Sequence, residues 1–111
     1  MNKHYAFKSS EIENIVKRFG RNFYYKVLKD LDKYAIKWTL TKFELFQSYS
    51  ANLVFKCFSE YYGDVVLKIG DPSSNGIFLE YNTLREYNGK PFCKVFDAEL
   101  SNSVILEEYV S

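Results

Sequence analysis

The chain has 111 residues, of which 47% are hydrophobic, 26% charged and 19% aromatic, with only five Gly and two Pro. An apolar and aromatic load this heavy, with so few chain breakers, excludes disorder, collagen-like repeats and low-complexity linkers. Fifteen basic and fourteen acidic residues leave a net charge of +1, too weak a field to gather nucleic acid or an anionic membrane, so neither is expected as a partner.

The apolar runs fall far short of the roughly 20 residues that span a bilayer, and Met1-Asn2-Lys3-His4-Tyr5 lacks the apolar segment of a secretory signal. A cytoplasmic protein is expected. Its two cysteines, Cys57 and Cys93, then read as reduced packing residues rather than a disulfide, because short secreted scaffolds usually carry more cysteines. One His and two separated Cys offer no zinc-ligand spacing.

Two helices open the chain. Ser10-Glu11-Ile12-Glu13 has the spacing of a capping box. Ile12, Ile15, Val16 and Phe19 follow as one apolar stripe, and Gly20 is placed to end the helix in a left-handed conformation. A second stripe holds Phe23, Val27, Leu28, Leu31 and Ala35, with Lys26, Lys29, Asp30 and Lys33 expected on its outer face. From Thr39 the period becomes alternating. Residues 39–46, 52–59 and 65–69 read as strands, the last two joined by a hairpin turn at 60–64. Gly70-Asp71-Pro72-Ser73-Ser74 breaks the pattern, a helix is expected at about 75–88, and Gly89 lies past its end. A last pair of strands, 92–98 and 104–109, flanks the turn Leu100-Ser101-Asn102-Ser103. This order predicts an α+β fold: an antiparallel sheet of about five strands, one helix inserted after the third strand, and two N-terminal helices. Residues 1–38 form the helical segment and 39–111 the sheet-bearing part of one compact domain.

Lys68 is the most informative residue. Every other side chain of Val65-Val66-Leu67-Lys68-Ile69 is apolar, which puts the ammonium near the edge of the core. A charge there requires an anionic partner, because burying it unpaired costs several kcal/mol. Glu80, on the following helix, is the candidate. Held in this way, Lys68 would have N–H groups left to grip a phosphate. The other reading is an edge-strand lysine that faces water and discourages aggregation. The segment Gln47-Ser48-Tyr49-Ser50-Ala51-Asn52 could cover phosphates with its amides and the Ser50 hydroxyl, or be a polar hairpin turn. Glu107 and Glu108 are neighbours on a strand and point to opposite faces, so they do not form an acid–base pair on one substrate atom. Aromatics such as Tyr24, Tyr25, Tyr61 and Tyr62, with Lys56 and Lys94 nearby, invite a base-stacking interpretation, but the charge balance and the lack of an RNP-like or GXXG motif argue against it.

Taken in order, these segments resemble the small N-terminal lobe of the aminoglycoside phosphotransferase kinases, nearest the streptomycin and hydroxyurea resistance branch. The likeness runs from about Phe23 to Val110. It rests on Val27-Leu28-Lys29-Asp30-Leu31 leading into Lys37-Trp38-Thr39-Leu40, on Ser50-Ala51-Asn52 as a Ser-x-Asn loop, and on Val65-Val66-Leu67-Lys68-Ile69-Gly70 as a lysine strand. It continues with Glu80 before Leu84-Arg85 and Tyr87-Asn88-Gly89, then Val95-Phe96-Asp97-Ala98 and Val104-Ile105-Leu106-Glu107-Glu108 as the last strands and hinge.

The resemblance implies a kinase-like small lobe that binds ATP. Lys68 would contact the α- and β-phosphates, Glu80 would fix Lys68, Ser50 and Asn52 would belong to the phosphate loop, and the backbone from Glu108 to Val110 would read the adenine edge. Two departures stand out: the loop has no Gly, and Glu107 lies next to the place where an apolar residue would border the base. In that family the catalytic Asp, the Mg²⁺-holding Asn and Asp, and the contacts to a small hydroxyl-bearing acceptor belong to a large helical lobe beyond the hinge. These 111 residues alone are therefore expected to lack phosphotransferase activity, and to self-associate through the surface such a lobe would cover. The other functional reading is a stand-alone, non-catalytic binding module that reuses the fold.

Overall fold

The computed structural model of the chain describes residues 3–46, 52–74, 76, 77, 81 and 94–110. It is an α+β structure whose Cα radius of gyration, 13.2 Å, matches the roughly 13 Å of a compact chain of this length. Helices α1 (Ser9–Phe19) and α2 (Arg21–Lys37) precede strands β1 (Leu40–Phe46), β2 (Leu53–Ser59), β3 (Gly63–Ile69), β4 (Val95–Glu99) and β5 (Val104–Glu108). The strands form one antiparallel sheet in the order β1-β2-β3-β5-β4. β5 thus inserts between β3 and β4, which places the two ends of the 70–94 connection two strands apart. Of the expected inserted helix, Gly76, Ile77 and Tyr81 are helical; the rest lies outside the described residues.

Several local expectations change. The start of α1 is not capped by a Ser10–Glu13 box. The N-cap is Lys8, and the carboxylate of Glu11, at the third helical position, accepts from the Lys8 amide at 2.9 Å and from the Tyr5 hydroxyl at 2.8 Å. Glu13 is two residues too far into the helix to reach back. Gly20 has φ 96° and ψ 162°, a corner open to glycine but not the left-handed helical cap. It lets α2 begin at the next residue while its amide still donates to Val16 O at 2.8 Å. The turn after β4 is a 3₁₀ segment, Leu100–Asn102, closed by Ser103 with φ 57°. The outer face of α2 keeps Lys29 and Lys33 but loses Asp30, which is only 4% exposed. Its carboxylate takes Lys26 Nζ at 2.5 Å and Asn102 Nδ2 at 2.9 Å, and Asn102 also reaches the Tyr34 hydroxyl at 3.0 Å.

Both helices pack on one face of the sheet. Ile15, Phe23, Val27, Leu31, Tyr34 and Trp38 meet Phe55, Cys57, Val65, Leu67, Ile69, Val104 and Leu106 in a single core. Cys57 is a free, buried thiol pushed up to about 12 by burial, so it stays protonated; Cys93 lies outside the described residues. At the end of α2, Trp38 fastens the helices to the sheet. Its ring stacks on Tyr34 with centroids 4.7 Å apart, its Nε1 donates to Asp97 at 2.9 Å, and its carbonyl accepts from Ser59 Oγ at 2.8 Å. Beside it, Lys33 and Lys37 bind the two carboxylate oxygens of Glu99 at 2.6 and 2.7 Å. No helix among the described residues is long and apolar enough to cross a membrane.

Candidate functional site

Alternation along the strands sends every second side chain to the face away from α1 and α2. On β2 these are Val54, Lys56 and Phe58, on β3 Val66 and Lys68, and on β5 Ile105 and Glu107. A patch of this face is apolar and covered: Ile77 packs on Ile105 with Tyr81, Val95, Ala98 and Leu100 around them. The remainder carries the charge.

Lys68 is the centre of that charged part. In the β3–β5 register Lys68 lies opposite Ile105 and Val66 opposite Glu107, so Lys68 and Glu107 are diagonal neighbours on one face, within reach of long side chains. Lys68 Nζ stands 3.1 Å from Glu107 Oε1. The lysine side chain is 23% exposed and the glutamate 2%, so the carboxylate is inside the protein and the ammonium lies at its boundary. Taking a carboxylate this far out of water costs several kcal/mol unless a cation meets it, and Lys68 is that cation. The lysine is therefore not the water-facing edge residue of the simpler reading, since β3 lies between β2 and β5. Glu80 falls outside the described residues, as does Ser50.

The other predicted residues sit at the two ends of the strands around Lys68. Asn52, immediately before β2, is 4% exposed. Its Oδ1 and Ile77 Cγ1 crowd Gly70 so closely that a Cβ there would meet them at 2.9 and 2.6 Å. Asn52 thus packs where β2 begins and β3 ends, its carbonyl oxygen turned to the Gly70 backbone. At the far end of β5, the amide of Glu108 donates to Lys94 O at 2.8 Å and that of Tyr109 to Asp64 O at 3.3 Å. Val110 is 59% exposed. Between these ends Lys56 Nζ lies 4.4 Å from the Tyr109 ring centroid, and Phe46 lies 6.5 Å from the same ring.

The structure therefore brings Lys68 together with Glu107, and places Asn52 at one end of this face and the Glu108–Val110 segment at the other. Sequence reasoning missed Glu107 as a partner and missed the Lys56–Tyr109 contact. Alternation puts Glu107 on the same side as Ile105, but which strand lies alongside follows only from the sheet order. A hollow of about 520 Å³ lies elsewhere, where Lys26 and Asp71–Pro72 face the α1–α2 corner; its described lining contains none of the predicted residues. No cluster of three or more His, Cys, Asp or Glu able to hold a metal occurs among the described residues. Neither a protein-family model nor a curated protein matches the chain.

Proposed function

We propose that the chain is the nucleotide-binding lobe of an ATP-dependent, aminoglycoside-type phosphotransferase. The observation that carries this reading is Lys68: a lysine on the middle strand of the sheet, ion-paired, with its ammonium at the boundary of the face opposite the helices. An ammonium placed in this way, paired to a carboxylate and partly exposed, is suited to the negative oxygens of a polyphosphate. The sheet order β1-β2-β3-β5-β4, with a helix entering after β3, also favours a kinase-like small lobe. It sets Lys68 beside the strand that leads into the Glu108–Val110 segment.

In this reading the triphosphate lies against Lys68, with Ser50 and the Asn52 end of the sheet at its phosphates and Glu80 as a helix carboxylate toward Lys68. The adenine meets the backbone of Glu108 to Val110. Because the Glu108 and Tyr109 amides already donate within the protein, reading the base would fall to the Val110 amide and the carbonyls of that segment. By the same resemblance, magnesium and the small hydroxyl-bearing acceptor would be held by a second lobe, where the metal would supply charge neutralisation for phosphoryl transfer. The function proposed for these residues is binding and orientation of ATP, not the transfer step.

The test is titration with ATP followed by calorimetry, on the parent and on Lys68→Arg. Arginine keeps the positive charge beside Glu107 but moves its donors, so affinity is expected to fall by about tenfold or more. Saturable ATP binding that is unchanged in Lys68→Arg, or no ATP binding by the parent, would overturn the proposal.

A further inference from the structure

We propose that Glu107, on β5, is a positioning residue for Lys68: the buried carboxylate holds the ammonium at a fixed place on the sheet face away from α1 and α2 and so sets where an anion can bind. The inference rests on the nucleotide-lobe reading for its ligand, but on geometry alone for the pairing.

Three observations carry it. First, the contact is 3.1 Å between groups on adjacent strands whose backbones are fixed by the ladder Val65↔Glu108 through Ile69↔Val104. Neither residue is on a loop, so the position of the ammonium is inherited from the sheet. Second, the exposures are unequal, 2% for Glu107 and 23% for Lys68. The carboxylate is beyond the reach of a solvated ligand, while the lysine head presents its outer side. Third, Glu107 directly precedes the Glu108–Val110 segment, so one strand carries both the lysine's anchor and the segment assigned to the base. The distance between the anchor of the phosphate grip and the base edge is thereby fixed within β5. A polar residue next to the place where the resemblance puts an apolar one is a departure, and this arrangement gives it a role.

A purely structural carboxylate would make a different prediction. Its loss would weaken the fold and lower ATP affinity whether or not Lys68 were present. A positioning residue acts through Lys68, so its effect on affinity disappears once the lysine is gone.

The experiment is a double-mutant cycle on the full chain with Glu107→Gln, Lys68→Met and the double variant, with Glu80→Gln alongside. ATP affinity and chemical denaturation are measured for each, and labelling of Lys68 by an amine-reactive ester is read by mass spectrometry. Glutamine keeps the shape and one acceptor but not the charge. Expected are a drop of about tenfold in ATP affinity for Glu107→Gln, no further drop from Glu107→Gln in the Lys68→Met background, and labelling of Lys68 raised severalfold by Glu107→Gln. Additive effects on affinity, or labelling of Lys68 that responds to Glu80→Gln but not to Glu107→Gln, would overturn the inference. If the parent binds no ATP, the nucleotide reading fails, and labelling together with the stability cycle still decides the pairing. Should Lys68→Met not fold with Glu107 stranded, Lys68→Gln takes its place in the cycle.

Discussion

The two faces of the sheet use the same strands in opposite ways. Toward α1 and α2 the side chains of β2, β3 and β5 are mostly aliphatic or aromatic, joined by Cys57 and Ser59, and Phe55, Val65, Leu67, Val104 and Leu106 are all fully buried. Toward the other side the same strands present Lys56, Phe58, Val66, Lys68 and Glu107, of which Phe58 is 37% exposed and Glu107 is buried only as one half of an ion pair. The first face has hydrophobic burial as its driving force, and the buried hydroxyl of Ser59 on it is satisfied by the Trp38 carbonyl. The second retains charge, and its buried carboxylate is met by the Lys68 ammonium. One strand can therefore hold the fold with one set of alternate residues and leave the other set to carry charge.

The sharpest way to break this comparison is to make the same substitution on both faces of β2. Phe55→Ala is expected to cost about 3–5 kcal/mol, and Phe58→Ala about 1 kcal/mol or less, both read from urea denaturation midpoints. Equal costs would mean that the second face is packed as tightly as the first. Where the faces meet at the end of β3, Gly70→Ala puts a Cβ 2.6 Å from Ile77 Cγ1 and 2.9 Å from Asn52 Oδ1. Something must move, at an expected cost of about 1–3 kcal/mol. Thermal unfolding with no loss would show that the inserted helix yields without strain.

On the helix-covered side, Trp38→Phe keeps the ring stacked on Tyr34 but removes the donor to Asp97. A loss of about 1–2 kcal/mol is expected, and Asp97→Asn in the Phe background should then cost little more. The smallest effect belongs to Glu99. Its hydrogen bonds from Lys33 and then Lys37 hold the carboxyl down at about 2, from an ordinary 4.5. Because the folded value is depressed, the stabilisation is present in full above pH 4.5 and is lost as pH falls toward 2. The gap in stability between the parent and Glu99→Gln should therefore close over that window. It should not exceed about 1 kcal/mol at neutral pH, because the pairs face solvent. A gap that stays constant down to pH 2 would remove the carboxylate as its source.

How far the fold was legible from sequence depended on whether a feature is local. Strands β1, β2, β3 and β5 fall within one or two residues of their expected positions, since alternation reports directly on which side of a sheet each residue faces. The strand β4 was less exact. The expected 92–98 became Val95–Glu99, with the part before Lys94 outside the described residues, and the polar turn became a 3₁₀ segment. The misplacement of Asp30 is instructive. An acidic residue between lysines on a helix looks solvent-facing, and only Asn102, 72 residues away, draws it inside. Lys68 was singled out because it interrupts an apolar run. Its contact with Glu107 was not found, because a diagonal pair across β3 and β5 requires both strand order and register, which no spacing along the chain contains. Expectations on Ser50 and Glu80 fall outside the described residues, while Asn52 proved to be packed against the end of β3.

The Trp38 joint bears on where this chain can be cut. Between residues 38 and 39 the sequence changes period, and a designer trimming to a minimal sheet would choose that point. Yet the carbonyl of Trp38 is held by Ser59, its indole by Asp97, and Lys33 and Lys37 reach across to Glu99. Removal of residues 1–38 would uncover one whole side of the sheet, take the indole donor from Asp97 and take both lysine donors from Glu99. The segment that looks like a detachable preface is the other half of the hydrophobic interior, and an expression boundary belongs before Tyr5, whose hydroxyl secures the start of α1.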